Sequence, residues 1–458
     1  MNIKSLLLGS AAALVAISGA RAADAPVTQV EPEPVEYVRV CDVYGTGFFY
    51  IPGTETCLKI GGYVRMRLQG NNRQYNSDID SNGPTAAGNV GNDYNVGSRV
   101  RARLDFDARE ETELGTLRAK FRVEATNAPA ATNNSSLNGT SSSTDGATYA
   151  AKFAYLQLGG LTIGYLDSAW TADDGGISDG LLTDSDWAAG DFSANRISYT
   201  AAFSGFSGTV SVEDDGSGDF IPDVIAKLAY KGGFGGAYVM GVYDEDAYGD
   251  YSVNYFGAGA SNTYGNYKLY TDEYNGNAKD GAFALKAGVQ LDNLILADSK
   301  LKIEGHYAFD PTQYAVVGNV FTYSNGGTND FGRVVNPITG AVVSSGSAFA
   351  LPSEWQVGAG YQQTFGKIFA AASGVYGRTF DLNYAYYTGA PTSSSLYVTE
   401  AATGNAGSVN YWGVEGDLGY QITKNFSVLG AVSYVNLDIP VGEKLDQTRG
   451  FIEFKRTF

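Results

Sequence analysis

Residues 96–109 read VGSRVRARLDFDAR, with Arg99, Arg101 and Arg103 at every second position and Val100, Ala102 and Leu104 between them. A helix, with its period of 3.6, scatters such a triplet around its axis, whereas a strand sends successive side chains to opposite faces. The stretch therefore reads as a strand with one apolar face and one strongly basic face. In a soluble sheet the apolar face packs on a core and the arginines meet water. In a membrane barrel the apolar face meets lipid and the arginines line an aqueous lumen.

The same period recurs along the chain. Leu58, Ile60, Val64, Met66 and Leu68 alternate with Lys59, Arg65, Arg67 and Gln69, and Leu117, Ala119, Phe121 and Val123 alternate with Arg118, Lys120, Arg122 and Glu124. About sixteen such segments start near 58, 96, 116, 149, 161, 196, 208, 224, 236, 281, 300, 353, 367, 410, 426 and 449, those near 149 and 367 alternating poorly. An even number of strands of about 9–11 residues is the pattern of a bacterial outer-membrane barrel. The 59 Gly, 32 Tyr and 23 Phe suit many strands and tight turns. No mature segment has the ~18 uncharged apolar residues of a spanning helix, so any insertion into a membrane is by strands.

The connectors supply an independent test. Residues 69–95, 127–148, 168–195, 244–280, 309–352 and 379–409 are long and polar, and short links such as 159–160, 204–207, 231–235 and 363–366 fall between them. A barrel has short periplasmic turns on one rim and long external loops on the other. On the apolar parity, Phe106, Phe203, Tyr230, Tyr361, Tyr420 and Phe458 fall at the short-turn rim, and Tyr165, Tyr307 and Tyr434 at the long-loop rim. Two aromatic girdles follow. The predicted fold is an all-β transmembrane antiparallel barrel of about 16 strands.

The opening residues, MNIKSLLLGSAAALVAISGARAA, have a basic end at Lys4, an apolar centre from Leu6 to Ile17 and the small-residue box Ala20-Arg21-Ala22. They read as a secretory signal cut after Ala22. Its loss takes the net charge from −18 to −20, which repels nucleic acid and excludes it as a partner. The domain reading is a signal peptide over 1–22, a Pro-rich acidic periplasmic lead-in over 23–57 and the barrel over 58–458. Export places Cys41 and Cys57 in an oxidising compartment, which points to a disulfide; a metal or redox pair lacks a nearby His or CxxC spacing.

Turning three arginines toward lipid costs about 2–4 kcal/mol each at mid-bilayer, so the register is fixed with the arginines inward. A dry lumen would bury unpaired charge, so the lumen holds water. Three adjacent strands then give a basic inner wall of Lys59, Arg65, Arg67, Arg99, Arg101, Arg103, Arg118, Lys120 and Arg122. The third long loop carries Asp173, Asp174, Asp179, Asp184, Asp186 and Asp191, and no base falls between Lys152 and Arg196. Folded inward, this loop sets acids opposite the basic wall and a transverse field across a constriction. Left outside, it is a solvated loop beside a wall paired with its own Asp105 and Asp107.

The signal segment, the run VEYVRVCDVYGTGFFYIPGTETCLKIGGYVR (35–65) and the ending RGFIEFKRTF resemble the porin family of alphaproteobacteria over the full length. The resemblance implies a homotrimer of sixteen-stranded barrels in the outer-membrane lipid of a Gram-negative cell. It implies passive diffusion of small hydrophilic solutes and ions past a third loop folded inward as an eyelet. Asp173, Asp174, Asp179, Asp184 and Asp186 then become candidate constriction acids. Phe458 resembles the terminal assembly signal of such barrels, and Arg456 departs from the apolar residue usual there.

No catalytic residue, cofactor or metal is implied. DIDSNG (78–83) has calcium-loop spacing but Asn89 at the twelfth position, so it also reads as a polar turn. The lone His306 lies on the lumen parity without a nucleophile pattern, which argues against an enzyme. A solute-preferring, sugar-type channel with saturable binding is the alternative to a general diffusion pore.

Overall fold

The computed structural model describes residues 39–72, 94–127, 147–214, 216, 220–247, 252–258, 264–271, 279–316, 334–335, 342–344, 351–388, 399–438 and 445–458. The signal segment and the DIDSNG stretch lie outside the described residues. Among the described residues sixteen strands form the wall. They are β1 Cys57–Asn72, β2 Tyr94–Thr112, β3 Gly115–Asn127, β4 Ala147–Leu158, β5 Leu161–Asp167, β6 Ser193–Phe203, β7 Phe206–Glu213 and β8 Asp223–Gly232. They continue with β9 Gly235–Ala247, β10 Lys279–Asp292, β11 Ser299–Ala308, β12 Ser353–Phe365, β13 Ile368–Thr388, β14 Thr399–Thr423, β15 Phe426–Asp438 and β16 Leu445–Thr457. Each pairs antiparallel with the next, and β16 returns to β1 with Tyr63 opposite Thr457 and Asn71 opposite Arg449. The wall thus closes on itself, as a strand-built membrane protein requires.

All sixteen segments read from the sequence are strands. The alternation fixes which face points outward: Ile60, Val64, Met66 and Leu68 of β1 and Val100 and Leu104 of β2 are exposed on the outside. Phe203, Tyr420 and Phe458 are exposed at the short-turn rim, and Tyr165 and Tyr307 at the other. The poor alternation near 149 has a cause in β4. Arg122 faces Phe153 while its neighbour Val123 faces Ala151, so Lys152 is an extra residue that shifts the parity.

Two additions frame the barrel. At the short-turn rim, Phe49–Tyr50 pairs with the start of β1 and the disulfide joins Cys41 to Cys57, burying Phe48 between them. At the long-loop end, the hairpin Ser252–Ala258 and Tyr264–Tyr270 pairs with the upper part of β13, Tyr270 opposite Asn383.

The core is inside the barrel. One apolar cluster gathers Leu181, Trp187, Val375, Val409 and Tyr411, and a second gathers Trp170, Ile177, Ile225, Met240 and Tyr314. Both combine residues of the segment 168–192 with inner-face residues of the wall. Part of the lumen is therefore filled and dry.

Candidate functional site

The third loop, between β5 and β6, folds inward and follows the inner wall. Asp174 meets Arg196 of β6 at 2.7 Å, and the Ser207 hydroxyl of β7 donates to Gly175 O at 2.9 Å. Three lysines from β8, β10 and β11 then hold loop carbonyls: Lys227 donates to Ala172 O, Lys286 to Trp170 O at 3.2 Å, and Lys302 to Ser178 O. The Leu181 backbone lies against β12, where a Cβ added to Gly360 would stand 1.7 Å from Leu181 O, so only glycine fits. On β13, Ser373 Oγ is 2.6 Å from both Thr183 Oγ1 and Trp187 Nε1, and Gln356 Nε2 of β12 donates to Trp187 O at 2.7 Å.

The tip reaches the strands that close the barrel. Asp184 N donates to Asp417 Oδ2 at 2.8 Å and Ser185 N to Glu415 Oε1 at 3.1 Å, both on β14. Arg449 of β16 donates to Ser185 Oγ, and the Asp184 carboxylate takes two bonds from Arg67 of β1, at 3.0 and 2.9 Å. The loop thus lines the inner wall from β6 round to β1 and leaves β2–β4 facing across the remaining space.

That remaining wall carries the sequence-derived cations, and their pairing follows one rule. Glu453 is held by Arg65 at 3.0 Å and Arg67 at 2.7 Å. Glu124 is held by Arg101 at 3.2 Å and by Arg103, and Asp107 by Arg109 at 2.8 Å and Arg118 at 2.7 Å. Each of these carboxylates is shared by two guanidiniums; the trios around Glu124 and Asp107 keep one net positive charge, whereas Arg67 also answers Asp184 and so balances the trio around Glu453, and Arg122 pairs singly with Asp105 at 2.5 Å. Aromatic rings on the same face brace them. Arg103 lies over Tyr63, Arg67 over Phe451, Arg118 over Tyr155, and Lys120 and Arg122 over Phe153, at 3.7–5.7 Å from the ring centroids. Arg99 shares this face directly opposite Arg67. Lys59, at the short-turn rim, donates to Thr46 O at 3.1 Å and lies over Phe48.

The five candidate loop acids do not stand as one row. Asp184 meets the basic wall by direct contact, Asp174 and Asp179 are taken by Arg196 and Lys286, and Asp173 is exposed. Asp186 is half-buried and accepts from Ala188 N at 3.1 Å. Burial pushes the Asp179 carboxyl up to about 6, against the pull of Lys286, and burial with the neighbouring Asp179 charge raises Asp186 well above the usual range. His306 is buried with Nε2 3.2 Å from Ser353 Oγ, which is itself 2.8 Å from Tyr411 OH; the group belongs to the packed interior. Phe458 closes the seam, its N–H bonding Gly62 O at 3.1 Å and its carbonyl accepting from Gly62 N at 3.2 Å.

Sequence reasoning missed the three lysines, Ser373, Gln356 and the shared Glu453. Trp170 and Trp187, set among Asp and Gly in a polar loop, were the available signal that this loop is buried.

Among known proteins, residues 24–456 match the family described as Porin subfamily. The porin Omp2b of Brucella suis biovar 1 is 42% identical over 258 residues, 53% of this chain and 66% of that protein; Omp2b of Brucella canis is 41% identical over the same length. The match spans just under two thirds of those relatives' own length. Among solved structures, the outer membrane channel DcaP of Acinetobacter baumannii superposes with a TM-score of 0.50 over 89% of this chain and 99% of that chain, at 14% identity, a likeness of fold alone.

Proposed function

We propose a function from one premise: this chain belongs to the Porin subfamily. It works as a channel of the Gram-negative outer membrane, exported by its N-terminal signal segment, inserted in lipid as a homotrimer, and open to passive diffusion of small hydrophilic solutes and ions. It turns over no substrate. The observation that carries this reading is the division of the lumen. The inward loop and two apolar clusters fill one side, and the other side presents guanidiniums whose side chains keep 17–25% of their surface in contact with solvent. Lys59, Arg65, Arg67, Arg99, Arg101, Arg103, Arg118, Lys120 and Arg122 line the passage, and Asp173, Asp174, Asp179, Asp184 and Asp186 shape the loop that narrows it. Charged groups held half-wet in a fixed array select ions by sign, and the width left by the loop selects by size.

Swelling of liposomes carrying the purified protein tests the reading. Uptake of small neutral sugars is expected to rise linearly with concentration and to fall with solute size. Saturating uptake would favour the solute-preferring channel, and absence of swelling would refute both.

A further inference from the structure

We infer that the inner wall carries an oxyanion-binding rung made of Lys455, Arg65 and Arg101; this rests on the channel reading above. Strand register places Arg65 of β1 directly opposite Lys455 of β16 on one side and Arg101 of β2 on the other. Ser427 of β15 follows Lys455, and Thr126 of β3 follows Arg101. Three cations thus stand side by side at one height, with hydroxyl residues at both ends and no carboxylate in the row. Opposed residues on adjacent strands have Cβ atoms about 5 Å apart, and like charges so placed destabilise a sheet unless something answers them.

The neighbouring carboxylates do not answer the row fully. Glu453 lies one rung above, already bound by Arg67 at 2.7 Å as well as by Arg65, and Lys455 Nζ stays 4.0 Å from it. Glu124 lies one rung below and is shared between Arg101 and Arg103. Asp184, the nearest loop acid, is taken by Arg67. Five cations (Lys455, Arg65, Arg67, Arg101 and Arg103) therefore face three carboxylates. A guanidinium has five N–H donors and an ammonium three, none of which can accept. Arg65 spends one on Glu453, while Arg101 spends Nε on Thr126 at 3.2 Å and one terminal nitrogen on Glu124. The unspent donors, on side chains 17, 18 and 40% exposed, form a donor array open to the lumen water.

Such an array suits an anion with several acceptor oxygens: inorganic phosphate, or the carboxylate of a small organic acid. It binds such an anion more closely than chloride, because two or three charge-assisted hydrogen bonds form at once. Lumen water competes, so the site holds its anion weakly enough to release it onward, as conduction requires.

The test is planar-bilayer recording of the full-length protein in KCl with added inorganic phosphate. The wild type is expected to show a saturable fall in chloride current. Lys455→Gln, Arg65→Gln and Arg101→Gln should each raise the half-blocking phosphate concentration about tenfold, the loss of one charge-assisted hydrogen bond. Each variant leaves its carboxylate held by a second arginine, so the wall persists. Lys367→Gln, in an outlying turn, should behave as wild type. Open channels whose current ignores phosphate, or equal block in all four variants, overturn the rung and leave the diffusion reading standing. A protein that never conducts overturns both.

Discussion

Replacing Gly360 with Ala tests how the loop is seated. The new methyl carbon would begin 1.7 Å from Leu181 O, 2.6 Å from its carbonyl carbon and 3.2 Å from its Cα. Gly360 is locked on both sides, opposite Lys302 of β11 and Ser373 of β13, so the loop must move rather than the wall. Ordinary contact near 3.5 Å requires the Leu181 carbonyl to retreat by about 1.5–2 Å. That retreat carries the 2.6 Å bond between Thr183 and Ser373, the 2.6 Å bond that Trp187 Nε1 donates to Ser373 Oγ, and the 2.7 Å bond from Gln356 beyond hydrogen-bonding range. Three such bonds are worth about 1 kcal/mol each. Partial exposure of Leu181 adds roughly 1–2 kcal/mol. The total of about 4–5 kcal/mol shifts the docked-to-released ratio by a factor of about a thousand. Single-channel recording should show larger and noisier conductance, with the barrel still resistant to protease. Gly416→Ala, which meets nothing within 4 Å, is the matched substitution and should conduct as wild type. A quiet Gly360→Ala channel of unchanged conductance would refute the seating of the loop on β12.

Three further outcomes are expected. Arg101→Gln with Arg103→Gln strips both guanidiniums from Glu124, turning a trio of net charge +1 into a lone carboxylate. The zero-current potential in a KCl gradient should then move toward cations, more at 0.1 M than at 1 M salt because the Debye length falls from about 10 to 3 Å; an unmoved potential counts against the wall as the selecting surface. The raised Asp179 carboxyl favours the docked loop most strongly below the ordinary aspartate range and loses that contribution as pH rises through about 6, and the raised Asp186 carboxyl acts in the same direction. For Asp179 the rise to about 6 corresponds to about 3 kcal/mol, so current noise should grow between about pH 4 and 7 and Asp186→Asn should damp the change; a flat profile in the wild type rejects this. Cys41→Ser opens a disulfide spanning 16 positions, worth about 3 kcal/mol to the hairpin it closes; proteolysis before β1 should quicken while conductance stays constant, and an altered conductance would show the hairpin to be part of the passage.

The strands were legible because one rule, apolar side chains outward, recurs from strand to strand. Where reading weakened, a second rule had intervened. In β4 the extra Lys152 shifts parity. In β13 the buried Ala371 and Val375 put apolar residues on the inner face as well, on either side of Ser373, so the strand does not alternate cleanly. The cations could be assigned to the inner face from parity alone. Their partners could not: that Arg101 and Arg103 share Glu124 depends on the offset between β2 and β3, and one-strand periodicity carries no information on offset. The lysines in VIAKLAY and FALKAGVQL show inward parity too, but they serve backbone carbonyls of the loop, and a carbonyl has no sequence signature.

The pairing rule also changes what sets the field in the passage. From sequence, the field ran from an acidic loop to a basic wall. In the folded chain Asp174, Asp179 and Asp184 are each bound to a cation and Asp186 accepts from Ala188 N of the loop itself, so among the described residues Asp173 is the one of the five candidate acids left exposed without such a contact. The wall contributes net positive charge, because Glu124 and Asp107 each fix two guanidiniums and cancel one. A carboxylate so shared restrains long flexible side chains, which a lone arginine in water is not, and it leaves a positive charge at a defined height. Two such trios, around Glu124 and Asp107, succeed one another toward the short-turn rim, below the Glu453 group that Asp184 balances through Arg67. On the channel reading, the acids of this wall act as fasteners for a positive track, and sign selectivity follows from the unbalanced arginine in each trio.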